Sequence, residues 1–120
     1  MPDARFLFIT LDCVDPAVVA DFWSALLGTP VEASMDDGRF VFIAAGEGLP
    51  TICFQRVPEA KVVKNRMHLD LAVDDLAAAT ARIEELGGSW PGAEHTLEQF
   101  RWRTVLDPEG NEFDIALTDE

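Results

Sequence analysis

Residues 8–28, FITLDCVDPAVVADFWSALLG, and residues 68–88, HLDLAVDDLAAATARIEELGG, decide the fold. Each is an alternating run, then an aspartate, then an amphipathic stretch ending at Leu-Gly. The copies stand about 60 residues apart, half the chain, so the chain reads as two similar modules. Two such halves can form a site at their junction that neither has alone.

In the first copy, Leu7, Ile9, Leu11 and Cys13 share one strand face, and Phe8, Thr10 and Asp12 share the other. Asp15-Pro16 starts a helix, because aspartate caps the free amides and proline suits the first turn. Val19, Phe22, Trp23, Leu26 and Leu27 follow at helical spacing, and Gly28 with Pro30 stops the run. Two β-rich runs, residues 39–45 and 50–57, form a hairpin across Gly46-Glu47-Gly48, with a shorter strand near Val31–Ser34. The module therefore reads β-α-β-β-β over about residues 5–57.

Residues 58–66, PEAKVVKNR, are a polar connection, and the second module covers about residues 67–118. His68, Asp70 and Ala72 share one strand face, with Leu69, Leu71 and Val73 on the other. Asp74 or Asp75 caps a helix to about Leu86, striped by Leu76, Ala79, Ile83 and Leu86. His95 falls in a loop, GAEHTLEQF. Residues 101–106 and 111–117 form a second hairpin across Asp107–Asn111, a turn with too few spaced oxygens for a calcium loop. On the last strand Glu112 and Asp114 share a face, while Phe113, Ile115 and Leu117 face a helix.

The hydrophobic content of 48% is ample for a core. A net charge of −13 argues against nucleic acid or an anionic membrane as partner. No apolar run reaches a membrane span, residues 5–13 lack the basic leader of a signal peptide, and Cys13 and Cys53 read as buried thiols in a reducing compartment. The expectation is a soluble cytoplasmic protein. There is no phosphate loop, serine-nucleophile motif or Cys-X-X-Cys pair.

The paired β-α-β-β-β plan, DPAVVADFWSALLG (15–28) and LDPEGNEFDI (106–115) together resemble the vicinal-oxygen-chelate superfamily of glyoxalases, extradiol dioxygenases and bleomycin-resistance-type binding proteins. Residues 57–76, VPEAKVVKNRMHLDLAVDDL, resemble its glyoxalase-like domain branch. The resemblance implies an α+β fold with curved sheets around a cleft and a single domain over residues 1–120, and it favours a homodimer, with the modules pairing either within one chain or across the dimer. It also implies four cleft positions: Phe8, Gln55, His68 and Asp114. Phe8 cannot bind a metal, and Asp114 stands where the family usually has glutamate. That change withdraws the carboxylate by roughly 1.5 Å, against a tolerance of ~0.2 Å in metal–ligand distance.

These residues support three readings. The first is a small-molecule-binding protein without a complete metal site or cofactor, its ligand lined by Phe8, Thr10, Gln55 and Trp102 together with Asp70, Glu112 and Arg66. Arg66 belongs to a basic cluster with Arg56, Lys61 and Lys64, which reads either as a solvated linker or as a handle for a carboxylate or phosphate. The second is a metal-dependent lyase, isomerase or dioxygenase, with Mn, Fe, Co, Ni or Zn held by His68, Asp114 and Gln55. The third is metal-free acid–base catalysis, with His68 as base beside Asp70, Glu112 or Asp114.

Overall fold

A computed structural model describes residues 2–117, which fall into two compact units, Met1–Ala60 and Lys61–Glu120. Among the described residues there are eight strands and two helices: β1 (Phe8–Cys13), α1 (Pro16–Leu27), β2 (Val31–Met35), β3 (Phe40–Ile43), β4 (Thr51–Arg56), β5 (Asp70–Val73), α2 (Leu76–Glu85), β6 (Glu94–Leu97), β7 (Phe100–Leu106) and β8 (Glu112–Leu117). The α+β class and both β-α-β-β-β modules are as expected.

The first unit forms a four-stranded sheet in the order β1-β4-β3-β2, with β1 parallel to β4 and the other pairs antiparallel. A parallel pair needs a crossover, which α1 and the β2–β3 hairpin supply. Asp15 accepts a hydrogen bond from the Val18 amide, and Gly28 ends α1 in the left-handed conformation at φ 68°. Val19, Phe22 and Trp23 are buried with Val41, Ile43, Ile52 and Phe54, so the alternation of β3 and β4 selects the face covered by the helix. Phe22 and Trp23 pack edge to face at 5.8 Å. Leu7 departs from the expected pattern: it precedes the β1 ladder and is exposed.

The second unit repeats the plan as β5-β8-β7-β6, with β5 parallel to β8. Leu76, Ile83, Val105, Phe113 and Ile115 form its core. Of the two expected caps, Asp75 is the one used, accepting from the Ala78 amide at 2.8 Å. Asp75→Ala is expected to cost about 1 kcal/mol, measured by urea denaturation, because it leaves that amide without its cap.

Two features differ from what the sequence pattern implies. His95 lies in strand β6, paired with β7, rather than in a loop. β6 is exposed along its whole length, so its residues show no apolar alternation to betray it. β5 begins at Asp70 rather than His68, although the Asp114 amide still donates to the Leu69 carbonyl at 3.0 Å. No helix among the described residues is long and apolar enough to cross a membrane.

Candidate functional site

Strand alternation gives the second sheet one face under α2 and one open face. Phe113 and Ile115 lie toward α2, so Glu112, Asp114 and Ala116 lie on the other side. Register carries that face across the ladder: Asp114 stands opposite Asp70 on β5 and Thr104 on β7, and Ala116 stands opposite Trp102. His68, two residues before Asp70, keeps the same parity.

Three groups converge there. His68 Nδ1 lies 2.9 Å from Asp70 Oδ1 and 3.7 Å from Asp114 Oδ2. The other Asp114 oxygen accepts a hydrogen bond from the Thr104 hydroxyl at 2.8 Å, which holds that carboxylate in place. The side chains of His68 and Asp70 are 38% and 62% exposed and that of Asp114 is 13% exposed, so the cluster has a fixed base and an open top. A proton on Nδ1, assigned from the Asp70 contact, leaves the Nε2 lone pair available as a base. An aspartate that orients an imidazole in this way is a recurring means of making histidine a proton acceptor.

Glu112 shares the open face but is engaged elsewhere. One oxygen accepts from the Asn65 amide at 2.9 Å and the other from Lys61 Nζ at 3.0 Å, while the Glu112 amide donates to Asn65 Oδ1 at 3.0 Å. Lys61 of the basic cluster is thus spent on a clamp that ties the segment before His68 to β8. Burial pushes the Glu112 carboxyl up, but the bonds from Asn65 and Lys61 outweigh it and hold the carboxyl below its ordinary value. A depressed folded value means the clamp stabilises fully above the unfolded carboxyl value of about 4.3 and fades as pH falls through the lower folded one. Glu112→Gln is expected to lower stability by about 1–2 kcal/mol at pH 7, and the gap from the parent should close in thermal melts below about pH 4.

Trp102 meets an unexpected partner. The His95 ring lies against it, centroids 5.2 Å apart, across the β6–β7 ladder. Of the other expected residues, Arg66 is exposed and enters no ion pair among the described residues. Phe8, Thr10 and Gln55 lie on the open face of the first sheet, not under α1. The Phe8 ring lies 5.3 Å from that of Phe42, and together they make an apolar patch on this face. Cys53 stands between Thr10 and Phe42 in the same register: burial raises its thiol pKa, partly offset by the Thr10 hydrogen bond. Gln55 belongs to the first unit, whereas His68 and Asp114 belong to the second.

A family model described as a glyoxalase-like domain matches residues 8–116. The chain belongs to this glyoxalase-like family. The glyoxalase-like domain is similar to a glyoxalase/bleomycin resistance protein/dioxygenase family enzyme from Burkholderia phytofirmans PsJN, with a TM-score of 0.73, 18% identity, and 92% of this chain and 95% of that chain covered. It is also similar to a genomically encoded fosfomycin resistance protein from Listeria monocytogenes, with a TM-score of 0.73, 17% identity, and coverage of 97% and 94%. A lactoylglutathione lyase from Agrobacterium tumefaciens matches with a TM-score of 0.67, 15% identity, and coverage of 97% and 95%. At these identities the likeness is one of fold. No curated protein matches the sequence.

The glyoxalase-like domain has one group of side chains suited to a divalent ion among its described residues: His68, Asp70 and Asp114, with donor atoms within 4.8 Å of one another. Donors held about 2.1 Å from an ion sit roughly 3.0–3.4 Å apart. The observed 2.9 and 3.7 Å bracket that range, and one nitrogen with two carboxylates suits Mn, Fe or Zn. Asp70, which the resemblance does not supply as a ligand, is the third donor.

Proposed function

We propose that this glyoxalase-like domain binds a small molecule on the open face of its second sheet. His68, Asp70 and Asp114 are the polar centre of that site, and His95 with Trp102 its aromatic wall. The carrying observation is the convergence of one imidazole nitrogen on two carboxylates at 2.9 and 3.7 Å, on the sheet face turned away from α2. Residues 1–120 are a single domain in this reading, the protein is a homodimer, and Phe8, Thr10 and Gln55 are apolar and weakly polar ligand lining. Arg66 supplies a cation at the approach to His68. The two free cysteines support a cytoplasmic location.

In the leading reading no metal is needed: Asp70 holds His68 Nδ1, so Nε2 faces the ligand as a hydrogen-bond acceptor. A thermal-shift screen of a small-molecule library on protein dialysed against a chelator tests it. Hits that persist without metal and vanish in Trp102→Ala support the reading, and a silent library refutes it.

A second reading is favoured by the donor spacing. His68, Asp70 and Asp114 would hold a divalent ion, which when bound supplies a Lewis acid for paired substrate oxygens. Its test is metal content after loading and dialysis.

A further inference from the structure

Arg39 and Arg56 break a rule of sheet pairing. They stand directly opposite each other, one step beyond the Phe40–Gln55 pair of the β3–β4 ladder, and the Arg56 amide donates to the Arg39 carbonyl at 2.9 Å. Like charges directly opposite on antiparallel strands are destabilising. Composition does not force the arrangement, because the chain has 22 acidic residues for 9 Lys and Arg. Among the described residues one weak counter-charge is in view: Asp36 lies 3.7 Å from Arg39, with both side chains more than half exposed. Arg56 enters no ion pair among the described residues.

The two arginines line one depression of about 440 Å³, whose other walls are Val14, Val57 and Pro58. That volume lies within the range of small-molecule sites. The walls are braced, since the Val57 amide donates to the Cys13 carbonyl at 2.8 Å, next to Val14. Arg39 also lies 5.2 Å from the Phe40 ring centroid, which limits the directions its guanidinium can take. The depression lies at the end of the first sheet, where β1 and β4 run out at Cys13 and Arg56 and β3 begins at Phe40.

We propose that Arg39 and Arg56 form an anion site for the carboxylate or phosphate of a small amphiphilic molecule, whose apolar body rests on Val14, Val57 and Pro58. A bound anion removes the repulsion between the guanidinium groups and accepts forked hydrogen bonds from both. The site lies wholly in the first unit and does not depend on the function proposed for His68.

The test is an NMR titration of the full chain with sodium benzoate, phenyl phosphate and, as the uncharged control, benzamide. Saturable shifts at Val14, Arg39, Arg56 and Val57 are expected with both anions and none with benzamide; the tighter anion identifies the headgroup. Arg39→Gln and Arg56→Gln should each weaken binding at least about tenfold. Their melting temperatures should hold or rise, because each relieves the opposed charges. His68→Ala should leave the affinity unchanged. Equal binding of benzamide, full affinity in Arg56→Gln, or a lowered melting temperature in both variants would each overturn the proposal; the last would make the arginines structural.

Discussion

His68→Ala is expected to abolish the polar centre while leaving the fold intact. The side chain precedes β5 and is 38% exposed, so its loss opens no cavity, and the stability change should stay within about 1 kcal/mol. The local chemistry changes far more. Without the imidazole, Asp70 and Asp114 stand opposite each other in a parallel register with no cation between them. Ligands that engage His68 should bind at least about tenfold more weakly, whether the imidazole acts as base or as hydrogen-bond donor. The same variant separates the two functional readings. Protein loaded in turn with manganese, iron, cobalt, nickel and zinc, then dialysed, is measured by elemental mass spectrometry. One retained ion per chain, lost in His68→Ala and in Asp70→Asn, makes the metal reading the correct one. Asp70→Asn is the sharper variant, because only the observed geometry makes that residue a ligand. No retained ion in the parent leaves the metal-free site as the working one.

The repeated strand–aspartate–helix pattern carried almost all of the fold. Alternation at Phe8–Cys13 and Glu112–Leu117 placed each side chain on its observed face, because one face of each strand meets a helix and must be apolar. The failures share a cause. β6 makes few apolar contacts, so neither its existence nor the His95–Trp102 stack left a periodic trace. Glu112 and Asp114 look equivalent along the chain, yet one clamps Lys61 and Asn65 while the other meets His68. What separates them is the path of residues 61–65, which no local pattern specifies. Arg56 illustrates the same limit: its place in a basic run was visible, but its true neighbour, Arg39, comes from the facing strand.

Phe54→Ala and Phe8→Ala set the same chemical change on opposite faces of one sheet, and their costs should differ severalfold. Phe54 lies on the central strand β4, is 0% exposed, and sits on the side packed against α1. Removing its ring leaves a cavity beneath Val19, Phe22 and Trp23 that those side chains can fill only in part. The expected loss is about 3–5 kcal/mol, a large share of the 5–15 kcal/mol typical of a domain. That corresponds to a fall in melting temperature of more than about 10 °C. Phe8 lies on edge strand β1, is 45% exposed, and touches Phe42 on the open face. Its ring is already half in water, so its truncation should cost only about 1 kcal/mol. Urea denaturation of both variants measures the difference directly. A Phe8→Ala loss as large as that of Phe54→Ala would mean that this ring is part of a buried interface rather than an open wall. The proposed small-molecule lining of the first sheet would then have to be given up. A small Phe8 loss combined with weaker binding of library hits would instead place that ring against the ligand, because only a contact made in the complex can affect affinity while leaving folding nearly unchanged.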